Sequence, residues 1–349
     1  MKIRIVCQED LYAWILGKFA LRMKDCFEKK GFNVDISKNP DPSADVNHYI
    51  IYSDYRKENK TNFDSLMITH IDNLVKLKFI KENVDYFRVG VCMSRETMDW
   101  LVNNGVPKNK LCFIDPAHDG KVTIKKSIVG ITCRVQSDGR KNEKYLSQLA
   151  DVLDPRLFKF KIMGDSWEAQ IEKLLKNGFE VEYYDHFILD KYYELISSLD
   201  YYLYMGMDEG QMGFLDAAAA GVKTIVTEQG YHIDAIGGIS YPFVDYDGLL
   251  KAFSKIQGDR LSIINSVKYW TWNYYCDKHL QVWNYLLNGN IDESCYSYPD
   301  GLHSLLDDKT QSILTYKKNK GVLLYNTILQ YYNKTKDKLL NQHNFRHSE

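Results

Sequence analysis

Short apolar runs alternate with amphipathic stretches that close on glycine, and the alternation passes along the chain twice. That pattern leaves few folds open. KIRIVC at the amino end alternates as a strand does. LYAWILGKFALRMKDCFEKKG has helical spacing and stops at Gly31, and FNVDIS is a strand again. Strand, helix and strand in succession build a parallel sheet, because only a long crossover returns the chain to the same end of the sheet. HYIIYS (48–53), SLMITHID (65–72), YFRVGVCMS (86–94) and KLCFIDP (110–116) extend this series as strands, with RETMDWLVNNG (95–105) a helix stopped by glycine.

AHDGKVTIKKS (117–127) is polar, without periodicity, and reads as a linker. A second series follows it. SIVGITCRV (127–135), LFKFKIMG (157–164), FEVEYYDHF (179–187), YYLYMGM (201–207), VKTIVTE (222–228) and ISYPFV (239–244) are strands, with helices at 142–153, 166–178 and 191–200. From 262 the pattern turns helical, and 321–340 is a further amphipathic segment. The expected fold class is α/β, with two doubly wound parallel sheets. Such sheets bind ligands outside the carboxyl ends of their strands, and the cleft between two of them is the default site. The 349 residues suit two domains.

Composition removes other classes. Apolar residues make up 45% of the chain and charged residues 26%, which is ordinary for a globular protein, and a net charge of −1 gives it no attraction to nucleic acid. The seven cysteines are scattered without a CxxC pair, so neither a disulfide framework nor a zinc site is indicated. The amino end does not read as a signal peptide and no run of 18 apolar residues occurs, so the expected location is cytoplasmic. No GxGxxG follows the first strand, which argues against a dehydrogenase.

The stretch DEGQMGFLDAAAAGVKTIVTEQGYH (208–232) carries the chemistry. Asp208, Glu209 and Gly210 form a turn at the end of a strand, and GFLDAAAAG opens a helix with Asp216 near its start. The amides of Gly210, Gln211 and Met212 at that helix start would face an anion, where the helix dipole favours negative charge. A carboxylate deeper in could accept from the two hydroxyls of a ribose. The plainer alternative is that Asp208 caps the helix and Asp216 favours its first turn.

This segment resembles the EGFGxPxxEAxAxG signature of retaining glycosyltransferases of the GT-B fold, family 4. Asp208 and Asp216 stand where that family has its two glutamates, and Ala217, Ala219, Gly221 and TIVT match the rest. The resemblance implies two Rossmann-like domains facing a central cleft. It implies Asp216 on the nucleotide's ribose, Asp208 on the transferred sugar, and Glu209, Gly210, Gln211 and Met212 lining the donor. VGITCRVQSDGRKNEKYLSQL (129–149) resembles the loop that holds the diphosphate. Arg134 matches the family's arginine, and either Arg140 or Lys141 matches its lysine. KFKIMGDS resembles the next strand with its glycine, Gly164, and His186, Phe187 and Ile188 fall where the base is framed. ITHID (68–72) resembles a strand ending in a cleft histidine, His70, expected at the sugar. The first strand is followed by QEDLYAW rather than the family's glycine pair, an unusual acceptor-side wall.

On this resemblance the domains are 1–120 (acceptor side), 121–265 (nucleotide sugar), 266–290 (closing helices) and 291–349 (an extension, helical in part). The reaction implied is transfer of a hexose from a nucleotide diphosphate sugar, UDP favoured, to a hydroxyl of a glycan or glycolipid, with retention. No metal and no cofactor is expected; His70, Asp208, Arg134 and Lys141 are the catalytic candidates. Two alternatives stay open. One is a non-catalytic subunit that keeps the fold and partners an active transferase. The other is a GT-B epimerase or phosphorylase. The lysines and tyrosines of the extension suit either a helix packed on its own protein or one lying on a membrane surface or partner.

Overall fold

The computed structural model describes residues 1–288 and 320–345. The chain divides into two compact units. One is Met1–Gly120 together with the described residues from Tyr269 onward, and the other is Lys121–Lys268.

In the first unit the strands are β1 (Lys2–Val6), β2 (Asn33–Ser37), β3 (Val46–Tyr49), β4 (Asp64–Ile68), β5 (Val89–Cys92) and β6 (Leu111–Phe113). They form one sheet in the order β2-β1-β3-β4-β5-β6, with every pairing parallel. Helices α1 (Ile15–Lys29), α2 (Leu74–Asn83) and α3 (Arg95–Asn103) connect strands. Helix α1 buries Phe19, Ala20, Met23, Cys26 and Phe27, one stripe at helical spacing. A tenth helix, here α10 (Trp272–Leu287), returns to this unit and drives Trp283, fully buried, into the same core as Phe27 and Val89.

In the second unit β7 (Ser127–Ile131), β8 (Phe158–Met163), β9 (Glu180–Tyr184), β10 (Tyr201–Tyr204), β11 (Lys223–Thr227) and β12 (Tyr241–Phe243) form a parallel sheet in the order β12-β11-β10-β7-β8-β9. Helices α4 (Lys144–Ala150), α5 (Glu168–Lys176), α6 (Leu189–Ser197), α7 (Met212–Ala219), α8 (Gly230–Asp234) and α9 (Tyr246–Ser266) flank it. The last described helix, α11 (Lys320–Phe345), belongs to the first unit. The α/β class with two doubly wound sheets is therefore present.

Several elements differ from the sequence expectation. Helix α1 starts at Ile15 rather than Leu11, because the Asp10 carboxylate accepts the amides of Tyr12 (2.8 Å) and Ala13 (3.2 Å) and holds those residues in a turn. The strand expected over 48–53 is Val46–Tyr49, with a 3-10 turn at Tyr52–Asp54. The strand expected over 65–72 ends at Ile68. Helix α2 has no clear stripe in the sequence, because lysines interleave its apolar residues and only Leu77 and Ile80 are buried. Helix α9 begins sixteen residues before the helicity read from 262. Gly248 and Gly258 interrupt its pattern, yet Leu249, Ala252, Phe253 and Ile256 make a regular buried stripe. Of the cysteines, Cys7, Cys26, Cys92, Cys112, Cys133 and Cys276 are buried free thiols, and Cys295 lies outside the described residues.

Candidate functional site

The sheet order of the second unit fixes where a ligand can enter. The chain leaves β7 toward β8 and β9, then crosses back to place β10 on the other side of β7. The connections after β7 and β10 run to opposite neighbours in the sheet, which makes their carboxyl ends the topological switch point where open parallel sheets commonly bind ligands. Gly164, just past β8, lets the β7 loop lie flat. Its φ is +148°, and a Cβ there would sit 2.1 Å from the Cys133 carbonyl oxygen. That same oxygen accepts from Trp167 Nε1 at 2.6 Å. Arg134 follows, exposed, and makes no ion pair among the described residues.

Between the two matches open for the family's lysine, the backbone treats Arg140 and Lys141 very differently. Asn142 adopts φ +49°, and its Nδ2 donates to the Met205 carbonyl at 2.9 Å. The Arg140 carbonyl accepts the Met207 amide at 2.8 Å. These bonds tie the loop to the end of β10 and turn Lys141 inward, where it is 7% exposed, while Arg140 stays at the rim. Lys141 Nζ donates to Tyr204 Oη and to Asp208 Oδ2, both at 2.7 Å. The Tyr204 hydroxyl donates in turn to Asp208 Oδ1 at 2.5 Å. Arg140 Nε stands 3.9 Å from Asp208 Oδ2.

The electrostatics follow from this ring of bonds. Burial alone would raise the Asp208 pKa, but hydrogen bonds from Lys141, Tyr204 and the Gly210 amide outweigh it and hold the carboxyl below the usual carboxylate range. Burial and the neighbouring Asp208 push the Tyr204 phenol far upward, so it keeps its proton. Asp208 is thus a satisfied carboxylate, and Lys141 is a buried ammonium with one of its three protons uncommitted among the described residues.

The start of α7 corrects one expectation. The amides of Gly210 and Gln211 are not open to an anion. Gly210 donates to Asp208 Oδ1 at 3.2 Å, and Gln211 donates to His232 Nε2 at 3.0 Å. His232 Nδ1 lies 3.1 Å from the Thr227 carbonyl, which can only accept. The imidazole therefore carries its proton on Nδ1 and is neutral, consistent with burial lowering its pKa. The Met212 and Gly213 amides remain without an acceptor among the described residues. Gly213 wedges α7 against the sheet, since a Cβ would lie 2.2 Å from Thr132 Oγ1 and 2.5 Å from Tyr202 Oη. The Gln211 side chain secures the same junction by donating to the Thr132 carbonyl at 2.8 Å.

Other expected residues fall outside this ring. Asp216 is exposed on α7 and accepts from the Tyr192 hydroxyl, whose ring packs 5.2 Å from that of Phe187. His186 is exposed beside Asp185, at 2.5 Å, and Ile188 is the residue that opens α6. Glu209 is exposed, and its carbonyl accepts the Tyr231 amide at 3.2 Å. His70 belongs to the first unit. It lies in the loop after β4 rather than on the strand, exposed, with Nε2 3.7 Å from Asp72. Tyr204, Tyr192, Gln211's side chain and His232 hold these positions, and the sequence motif gave no role to the first, second or last of them. No group of three or more His, Cys, Asp or Glu able to hold a metal occurs among the described residues.

No protein-family model and no curated protein matches the chain. Solved structures similar to it do include glycosyltransferases. One is the lipopolysaccharide outer core galactosyltransferase WaaB in its apo form, at 12% identity over 83% of this chain and 100% of that one, with a TM-score of 0.33. Another is HepE of Anabaena in complex with UDP and glucose, at 10% identity over 90% and 99%, with a TM-score of 0.31. A third is a glycosyltransferase from Rickettsia africae, at 13% identity over 83% and 99%, with a TM-score of 0.34. The two doubly wound sheets, not these distant likenesses, establish the architecture.

The first unit has its own opening at the carboxyl ends of its strands. A cavity of about 330 Å³ is lined by Gln8, Lys38, Asn39, Tyr49, Asp54 and Arg56, among others. Burial raises the Asp54 pKa against the pull of Arg56. The Tyr49 side chain is 2% exposed and its hydroxyl has no partner among the described residues. The same loop that supplies Gln8 goes on to expose Tyr12 and Trp14, and Ile15 at the start of α1 is exposed beside them. Gly17 lets α1 pack on this loop, because a Cβ there would lie 2.3 Å from the Asp10 carbonyl oxygen.

Proposed function

We propose that this chain is a retaining glycosyltransferase that moves a hexose from a nucleotide diphosphate sugar to a hydroxyl of a glycan or glycolipid, without a metal ion. The observation that supports this best is the Lys141–Tyr204–Asp208 ring at the β7/β10 switch point, with Arg134 and Arg140 at its rim. Breaking the bond from sugar to diphosphate leaves charge on the departing phosphate. Preorganised cations are the direct way to stabilise it. Asp208 and Tyr204 hold Lys141 in place, and Lys141 keeps a proton to donate. Arg134, with no carboxylate engaged, supplies a second charge at the rim.

The remaining donor contacts come from the residues further out. Asp216, steadied by Tyr192, takes the ribose hydroxyls, and His186, Phe187 and Ile188 frame the base, with UDP favoured by the resemblance. The amides of Met212 and Gly213 face the donor at the helix start, where the dipole favours phosphate or electron-rich sugar oxygens. On the acceptor side, the amide and charged groups around the polar cavity, Gln8, Asn39, Asp54 and Arg56, offer the mixed donors and acceptors that sugar hydroxyls need. Trp14 and Tyr12 offer faces for a sugar's apolar side. For His70 the resemblance alone, and no contact described above, supports a role at the transferred sugar.

The test is a thermal-shift screen with UDP, GDP, ADP, CMP and their sugar conjugates, with and without magnesium, followed by proton NMR of the product's anomeric signal. A ligand of the native state raises the midpoint by mass action. The expected result is a shift with one nucleotide diphosphate sugar that Asp216→Ala abolishes, and transfer with retention. An inverted product would refute retention. Binding without transfer to any acceptor would leave a donor-binding partner subunit instead, and epimerisation of the free donor would make the protein an epimerase.

A further inference from the structure

Helix α11 is attached to the first unit by the wrong face for an ordinary amphipathic helix. It docks on the start of α2 through Leu323, which is buried, and through two polar bonds. Asn326 Nδ2 donates to the Asp72 carbonyl at 2.9 Å, and Thr327 Oγ1 accepts the Leu74 amide at 3.1 Å. The second bond satisfies one of the amides that a helix start leaves open. At about 100° per residue, Leu323, Asn326 and Thr327 occupy one side of α11. Leu324, Tyr325, Ile328, Leu329 and Tyr332 fall on the opposite side, within an arc of about 140°, and each is exposed. Leu74 and Val75 of α2, beside the docking point, are exposed as well.

We infer that this outward face of α11 lies on an anionic lipid surface. Four features choose lipid over a second protein. The apolar arc is broad, whereas a paired coiled coil needs only a narrow two-in-seven seam. Tyr325 and Tyr332 combine an apolar ring with a hydroxyl, the chemistry of side chains that settle at the lipid headgroup level. Helix α11 contains four lysines and one acidic residue, Asp337, a net positive charge that complements anionic headgroups. Lys336 is exposed and falls within the outward arc, where a long stem lets the side chain lie along an apolar surface with its charge in the headgroups. No helix among the described residues is long and apolar enough to cross a membrane, so the contact is one of lying on the surface. Joined to the transferase reading, on which this step rests, it selects glycolipid over soluble glycan as the acceptor class.

The experiment is flotation of the full chain with vesicles of phosphatidylglycerol and phosphatidylcholine, against phosphatidylcholine alone. The chain is expected to float with the anionic vesicles and far less with the neutral ones. Replacing three outward side chains together, Ile328→Ser, Leu329→Ser and Tyr332→Ser, should lower the bound fraction by about tenfold or more with circular dichroism unchanged. Lys336→Glu should weaken binding to anionic vesicles only. Wild-type chain that stays with the soluble fraction, or a triple variant that floats as well as wild type, overturns the inference. So does a concentration-dependent dimer that the triple variant abolishes in the absence of vesicle binding, which would assign the face to a second copy. Flotation in a protein that shows no donor shift keeps the lipid contact and removes only its link to glycolipid.

Discussion

Two histidines buried between α10 and the first sheet make that unit sensitive to acid. His48 on β3 and His279 on α10 are both fully buried, with ring centroids 5.1 Å apart. His279 Nδ1 donates to the Tyr275 carbonyl at 2.9 Å, and its Nε2 has no partner among the described residues. His48 Nδ1 meets Ser65 Oγ at 3.0 Å, a hydroxyl that also accepts from Trp283 Nε1 at 3.1 Å, and His48 Nε2 is likewise unpartnered. A proton added to either ring would create a buried charge with no acceptor. Burial accordingly depresses His279 to about 4, and burial together with His279 depresses His48 well below the ordinary histidine value.

In the unfolded chain both rings take up protons near pH 6.5, while the folded unit resists until near pH 4. Stability from this source is full above about pH 6.5 and falls as pH drops through that window. For His279 the span is worth about 3 kcal/mol at 1.36 kcal/mol per unit, a large share of a stability of about 5–15 kcal/mol. The variant His279→Phe keeps the ring volume, and the Tyr275 carbonyl keeps its helical amide. It should flatten the decline by about 1 kcal/mol per pH unit between pH 6.5 and 4.5. Urea melts followed by near-ultraviolet circular dichroism, with Trp283 in the same core, measure this at pH 7.5, 6.5, 5.5 and 4.5. Carboxylates titrate in both proteins, so the difference between the two slopes isolates the histidine. Equal slopes would refute the reasoning.

Three other substitutions address the second unit. Arg134→Ala and Lys141→Met should each lower transfer turnover by about 100-fold or more while leaving the melting curve of Arg134→Ala unchanged; full turnover in both would remove these cations from the mechanism. Gly164→Ala puts a Cβ against the Cys133 carbonyl at a positive φ, so the unit should lose about 2–4 kcal/mol in a denaturant melt. A neutral result would mean the β7 loop can move away from β8.

The fold was legible because period-2 and period-3.6 patterns do not need partners to be seen. Phe19, Met23 and Phe27 announce α1, and TIVT announces β11, whatever surrounds them. What stayed hidden depends on contacts between residues far apart. Helix α2 buries only two side chains, so its stripe is faint. Arg140 and Lys141 are adjacent, and no spacing rule separates them; the positive φ of Asn142 and its bond to Met205 decide which one turns inward. The amide of Gln211 looked open to an anion in the motif because His232, which occupies it, lies twenty-one residues further on. Tyr204 sits in a strand of tyrosines, and nothing local marks it as the one that bridges Lys141 and Asp208.

The path of the chain through the two units also sets an order for making the protein. Lys121–Lys268 is one uninterrupted segment, whereas the first unit needs α10, whose Trp283 fills its core. During synthesis the amino-terminal sheet therefore leaves the ribosome with that core position vacant and its apolar face waiting. The second unit has all its strands before α10 exists and can fold while the first is still incomplete. The segment made first is the one finished last, and a chain cut short before residue 287 would carry a complete second unit beside an amino-terminal half prone to aggregate.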